Sequence, residues 1–175
     1  VDDDAEGEKR AMDISRKRGK WQFLNMCTAF FSASVIARYQ TTIEGLPALA
    51  VLMPIVASMG GNTGNQALTV MVRQLAMGDV DNTNWDQSLF REVIVAMVNG
   101  TVFSILVGFG SYLWFRNIKI SLVMSFAIFM NFAIAGLCGT LIPLLLKKMK
   151  TDPAVGSSIL LTMITDALGF LIFLG

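Results

Sequence analysis

One carboxylate is set apart by its surroundings. Asp166 lies in the apolar run 160–174, whereas the other twelve of the thirteen acidic residues fall in a charged N-terminal stretch or in polar connections. An aspartate near the centre of a helix in hydrocarbon costs roughly 2.5–3.5 kcal/mol on insertion scales, so it should face a cavity, a partner or an ion. On a helix, Ser158 and Thr162 stand at i−8 and i−4 from Asp166 and Gly169 at i+3, which gives the carboxylate a small, oxygen-bearing face. Close helix packing accounts equally well for Ser158 and Gly169, but it does not account for Asp166.

A second polar feature interrupts the apolar segment 46–75: Gly60-Gly61-Asn62-Thr63-Gly64-Asn65-Gln66. Glycines weaken a helix, and Pro54, six residues earlier, removes a further backbone donor and favours a kink. Asn62, Asn65 and Gln66 add amide oxygens and donors where only apolar side chains would otherwise stand. A broken backbone at membrane depth is tolerated where protein covers it or where it lines a watery cavity. The run has no Lys-Ser/Thr and no preceding strand, so it is not a nucleotide-binding loop.

Together these residues suit a cation. Carboxylate, amide and hydroxyl oxygens fit Mg²⁺, Ca²⁺ or Mn²⁺ better than zinc or copper. One aspartate cannot neutralise a divalent ion; a two-fold dimer with its pore on the axis would bring two Asp166 residues together. Because Mg²⁺ gives up its waters reluctantly, the carboxylates are expected to hold a largely hydrated ion. Other chemistries are excluded. The chain has no histidine, which removes imidazole catalysis and zinc-histidine sites. Cys27 and Cys138 are far apart in apolar runs and read as packing residues. A net charge of +1 offers no basic face for nucleic acid.

The elements that must position these groups follow from the composition. Of 175 residues, 54% are hydrophobic and only 15% charged, with a mean hydropathy of +0.58, against about 25% charged in a soluble domain. Five stretches, 21–37, 46–75, 93–115, 120–146 and 155–174, approach or exceed the roughly 20 residues needed to cross a bilayer as helix. The fold expected is an all-α integral membrane protein of five transmembrane helices, forming a homodimer in the lipid bilayer with its pore at the two-fold axis.

Eleven of the fourteen basic residues sort to one side: Lys9, Arg10, Arg16, Lys17, Arg18 and Lys20 before the first span, Arg73 and Arg91 around the second connection, and Lys147, Lys148 and Lys150 in the fourth. Only Arg38, Arg116 and Lys119 oppose them, so the N-terminus is expected in the cytoplasm and Gly175 outside. Residues 1–20 read as a solvated juxtamembrane tail with a basic anchor, and 21–175 as the pore domain. The chain opens at Val1 with no signal-peptide pattern and reads as a piece of a longer protein. Asp79, Asp81 and Asn82–Asn84 hint at a calcium loop but lack its glycine and terminal glutamate.

The string running from Pro54 to Gln66, followed by Arg73 and Leu75-Ala76, resembles the second transmembrane helix of the MgtE family of bacterial magnesium channels. Asp152-Pro153-Ala154, followed by Thr165-Asp166 and Leu168-Gly169, resembles that family's fifth. The resemblance spans about 21–175 and implies a homodimeric pore in the bacterial inner membrane, lined mainly by these two helices and passing Mg²⁺ into the cytoplasm. Asp166 matches the ion-recognising aspartate, and Thr162 falls where the family's backbone also faces the ion. The implied pore lining is Ser158, Thr162, Thr165 and Gly169 from the fifth span, with Gly60, Gly61, Asn62, Gly64, Asn65 and Gln66 from the second. Ser158 stands where some relatives carry Asn. Family members carry regulatory cytoplasmic N-terminal and CBS domains; within residues 1–175 these are expected to be missing, with only 1–20 expected to correspond to the end of the connecting helix. Loss of Mg²⁺-dependent closure is the expected consequence. Exchange of Mg²⁺ for another cation, and broader Mn²⁺ or Co²⁺ transport, are the alternatives. No enzymatic activity is expected: an intramembrane aspartyl protease needs two carboxylates sharing a proton, one chain supplies a single intramembrane aspartate, and although a dimer could pair two, no known protease pattern accompanies them.

Overall fold

A computed structural model describes residues 2–81 and 83–175. It is helical throughout: α1 Asp2–Ala37, α2 Gln40–Gly45, α3 Pro47–Met77, α4 Trp85–Phe115, α5 Ile118–Lys148 and α6 Pro153–Leu174. The five long helices coincide with the five apolar stretches to within a few residues, apart from the N-terminal extensions of α1 and α4; α2, in the connection after the first span, was not anticipated. Among the described residues, three helices are long and apolar enough to cross a membrane: α4, α5 and the part of α6 at Gly156–Leu174. In α1 charged residues fill the N-terminal half, and in α3 Asn62, Asn65, Gln66 and Arg73 lower the average.

Residues 2–20 are helical and run without a break into the first span, making α1 a single rod of 36 residues, about 54 Å long at 1.5 Å per residue. One expectation changes: the glycine run does not break its helix, and α3 is continuous from Pro47 to Met77, with Pro54 inside it. Packing is what makes a glycine-rich helix tolerable, since small residues let neighbouring backbones approach and recover in contact what they lose in propensity.

α5 is the hub, packing against α4, α3 and α6, while α1 lies on the far side of α6. α4 meets α5 through Ala96, Gly100, Ser104, Gly108 and Ser111, all buried, mostly at spacing four. Ser121 donates from Oγ to the Gly108 carbonyl at 2.6 Å across that contact. The exposed surface of α4 beyond Glu92 is mostly apolar, including Val98, Val102, Ile105, Leu106 and Phe109, with Asn99 and Thr101 its exposed polar residues near mid-helix, a composition suited to facing lipid. Leu52, Val56, Met124, Ile128 and Phe173 form the core near the α2 end. Leu68, Ile142, Leu146 and Leu161 form a second cluster toward the lysine-bearing end.

Candidate functional site

The register of Asp166 is set at the start of its helix. Asp152 caps α6, its carboxylate accepting from the Ala154 N–H at 2.9 Å, and Pro153 occupies the first turn, where its missing N–H costs nothing. The Asp-Pro-Ala string is thus a helix-start signal three to four turns before Asp166. Asp166 is partly buried. One turn back, the Thr162 hydroxyl donates to the Ser158 carbonyl at 2.9 Å. Thr165 is fully buried and donates to the Leu161 carbonyl at 2.9 Å and to that of Thr162 at 3.2 Å. Both threonines satisfy their protons within their own helix, leaving hydroxyl lone pairs free. Ser158 and Thr162 line a small depression of about 260 Å³ shared with Trp21, Gln22 and Asn25 of α1.

α3 divides into two faces. Gly60, Gly64, Ala67, Leu68 and Met71 point inward and are buried. Ser58, Asn62, Asn65, Gln66, Thr69 and Arg73, at helical spacing, form a polar stripe that is exposed along its length. Asn62, Asn65, Gln66, Thr69 and Val70 line an open groove of about 540 Å³. Asn62 reaches Ser58 Oγ at 3.5 Å, and Thr69 donates to the Asn65 carbonyl at 2.7 Å.

The glycines that looked alike in sequence therefore have different surroundings. A Cβ on Gly61 would meet nothing within 4 Å, whereas one on Gly60 would overlap the Asn131 amide and one on Gly64 would lie 2.9 Å from Leu161. Gly139 of α5 sits against the Gly64 carbonyl, which a Cβ would approach to 2.6 Å. Gly169 is likewise a packing glycine, its Cβ position 2.9 Å from Asn131 Nδ2 and 3.2 Å from Val56. Gly61 and the three amides lie on the open side of α3. Gly60, Gly64 and Gly169 lie between helices.

Asn131 is the residue whose part the sequence did not disclose. It is fully buried, and Nδ2 donates to the Val56 carbonyl of α3 at 2.9 Å. It is wedged between Gly60 and Gly169, so one side chain of α5 sets the spacing of α3 and α6, the two helices bearing the candidate site. Its Oδ1 is buried without a hydrogen-bond partner. The signal was present as an amide inside an apolar run, but its partners are 71 residues before it and 38 after it.

Around the connection between α3 and α4, Asp81 accepts from the N–H groups of Thr83 at 2.8 Å and Asn84 at 3.2 Å. Asn84 accepts from the Asp81 N–H and donates to the Asp79 carbonyl, both at 2.8 Å. The Thr83 amide holds the Asp81 carboxyl below the ordinary carboxylate value. One Asp81 carboxylate oxygen and the Asn84 amide thus brace a turn; Asn82 lies outside the described residues. Among the described residues no group of three or more Cys, Asp or Glu side chains could hold a metal. Among the described residues, Asp166 is the carboxylate in the middle of an apolar helix; Glu92, also partly buried, stands near the start of α4 beside Arg91.

Residues 53–175 match the family model described as "MgtE: Divalent cation transporter". The chain is 32% identical over 168 residues to the magnesium transporter MgtE of Bacillus subtilis (strain 168), covering 96% of this chain and 37% of that protein. It is 30% identical over 168 residues to the magnesium transporter MgtE of Enterococcus faecalis, covering 37% of it. To the one of Thermus thermophilus it is 30% identical over 157 residues, covering 35%. The chain thus spans little more than a third of the length of these relatives.

Proposed function

This chain belongs to the MgtE family of divalent cation transporters, and from that membership we propose that it forms the transmembrane pore domain of a Mg²⁺ channel. Membership makes it a membrane transporter component rather than an enzyme. The observation that carries the pore is the exposed stripe Ser58, Asn62, Asn65, Gln66, Thr69 and Arg73 on α3. Left against lipid, such a stripe would strand several polar groups, so it must face water or protein. A second copy of the chain related by a two-fold axis covers it and leaves an aqueous path between the two stripes.

In this reading α1, α3, α4, α5 and α6 are the five spans, with the N-terminus in the cytoplasm and Gly175 outside. The amides of α3 contact the water shell of the ion, and two Asp166 carboxylates supply the charge that a divalent cargo needs. Holding Mg²⁺ through its waters avoids the cost of dehydration, and selectivity then rests on the size of the hydrated ion. Gly60, Gly64 and Gly169 shape the pore indirectly, by letting α3, α5 and α6 approach. Regulatory cytoplasmic domains lie outside residues 1–175 and act through α1, whose charged half is continuous with the first span and whose Trp21, Gln22 and Asn25 adjoin Ser158 and Thr162 on α6.

The test is Mg²⁺ uptake into liposomes, comparing the parent chain with Asp166→Asn and Asp166→Ala. Both variants should lose at least tenfold in flux while keeping their helical content. Normal transport by both removes Asp166 from the pathway. Uptake in the absence of any counter-ion gradient separates a channel from an exchanger.

A further inference from the structure

At the lysine-bearing end of the bundle, away from Asp166, a cleft of about 380 Å³ opens between the α3–α4 connection and the end of α5. Its walls are of two kinds. Leu75 and Leu145 make an apolar surface, continuous with the leucines of the last turns of α5, and Leu145 is 57% exposed. Trp85, Lys147, Lys148 and Asp81 supply the rest of the lining that bears polar groups.

The charges of this lining do not cancel one another. Among the described residues the ion pair is Arg91–Glu92, at 3.8 Å, and neither lysine is engaged by Asp81. The Asp81 carboxylate is turned instead to the Thr83 and Asn84 amides. Two ammonium groups are left over an apolar cleft beside a tryptophan, in the last turn of α5. This geometry is complementary to an amphiphile with an anionic head: phosphate against ammonium, acyl chain against leucine, indole at the headgroup level.

We propose that this cleft is a binding site for one anionic phospholipid, whose headgroup is held by Lys147 and Lys148 and whose acyl chain lies against Leu75 and Leu145. The lipid bridges the α3–α4 connection to the end of α5 and so braces the end of α3. The inference depends on the membrane placement given above and is independent of the ion carried.

The test is quenching of Trp85 fluorescence in vesicles of phosphatidylcholine containing a minor fraction of brominated lipid, with Trp21→Phe and Trp114→Phe as the background. Quenching by brominated phosphatidylcholine reports that Trp85 lies in the membrane, and its failure would refute the placement rather than the site. Brominated phosphatidylglycerol at the same fraction should be enriched at Trp85 by about fivefold for each lysine, the ratio equivalent to about 1 kcal/mol per basic residue at an anionic surface. Lys147→Gln with Lys148→Gln should abolish that preference, while Lys17→Gln with Lys20→Gln should leave it. Equal quenching by the two lipids in the parent overturns the proposal, whether a second copy or another protein segment then fills the cleft. Retention of the preference in the Lys147, Lys148 variant overturns it as well.

Discussion

Adding one methyl group at Gly60, and separately at Gly61, isolates how the glycine run works. In an exposed helix interior, glycine to alanine stabilises by about 0.5–1 kcal/mol, because the unfolded chain has less freedom to lose. Gly61→Ala should show that gain, since a Cβ there meets nothing within 4 Å. At Gly60 the new carbon overlaps Asn131 Nδ2 and lies 2.7 Å from Cγ and 2.8 Å from Oδ1. Asn131 is 0% exposed and cannot swing aside without surrendering its bond to the Val56 carbonyl. Overpacking costs about 1–3 kcal/mol, and an interhelical hydrogen bond in a membrane is worth about 0.6 kcal/mol on average and up to about 1.7. Against the propensity gain, Gly60→Ala should lose about 1–3 kcal/mol. Asn131→Ala in the same chain makes room for the methyl group, so the double variant should recover, with a coupling of at least about 1 kcal/mol. Unfolding of the purified chain in mixed micelles by increasing SDS, followed by circular dichroism, measures the parent, Gly61→Ala, Gly60→Ala, Asn131→Ala and the Gly60→Ala/Asn131→Ala double variant. If Gly60→Ala proves as stable as Gly61→Ala, or if the Gly60 and Asn131 changes add without coupling, the junction is not what spaces α3 and α6.

Gly61→Leu and Asn65→Leu place bulk on the open face of α3, so each should block Mg²⁺ flux in liposomes with the fold intact, and unaltered flux would put α3 off the pathway. Ser121→Ala removes the bond to the Gly108 carbonyl and should cost about 1 kcal/mol in the SDS titration with little change in flux, because that contact lies between α4 and α5. The turn closed by Asp81 should loosen in acid. Its carboxyl is held below its ordinary value of 3.8, so its contribution is complete above that pH and fades as pH falls through the lower folded-state value. Faster exchange of the Thr83 and Asn84 amides relative to neighbouring amides, in acid only, is the expected signature.

Much of the fold was legible because its determinants are local. Apolar runs long enough to span a bilayer appear wherever charges are missing, and the five long helices fall where those runs do. The start of α6 was readable too, since Asp152 and Pro153 act on the next turn of backbone. The extent of α1 was not. Its charged half cannot bury a core, and composition alone does not reveal that the helix continues through Trp21.

The site was legible in part for the same reason. A carboxylate in an apolar run and three amides within five residues are visible in one dimension, and their types already suggest a divalent cation. What they face is not visible there. Gly60 and Gly61 are neighbours of the same type, and only the arrangement of α3 against α5 and α6 makes the first a contact and leaves the second open. The sequence alone determined which groups are too polar for lipid. The tertiary structure decided which of them packs and which is left exposed, because a helix turns 100° per residue and the partner that fixes its inward face, Asn131, arrives from a distant part of the chain.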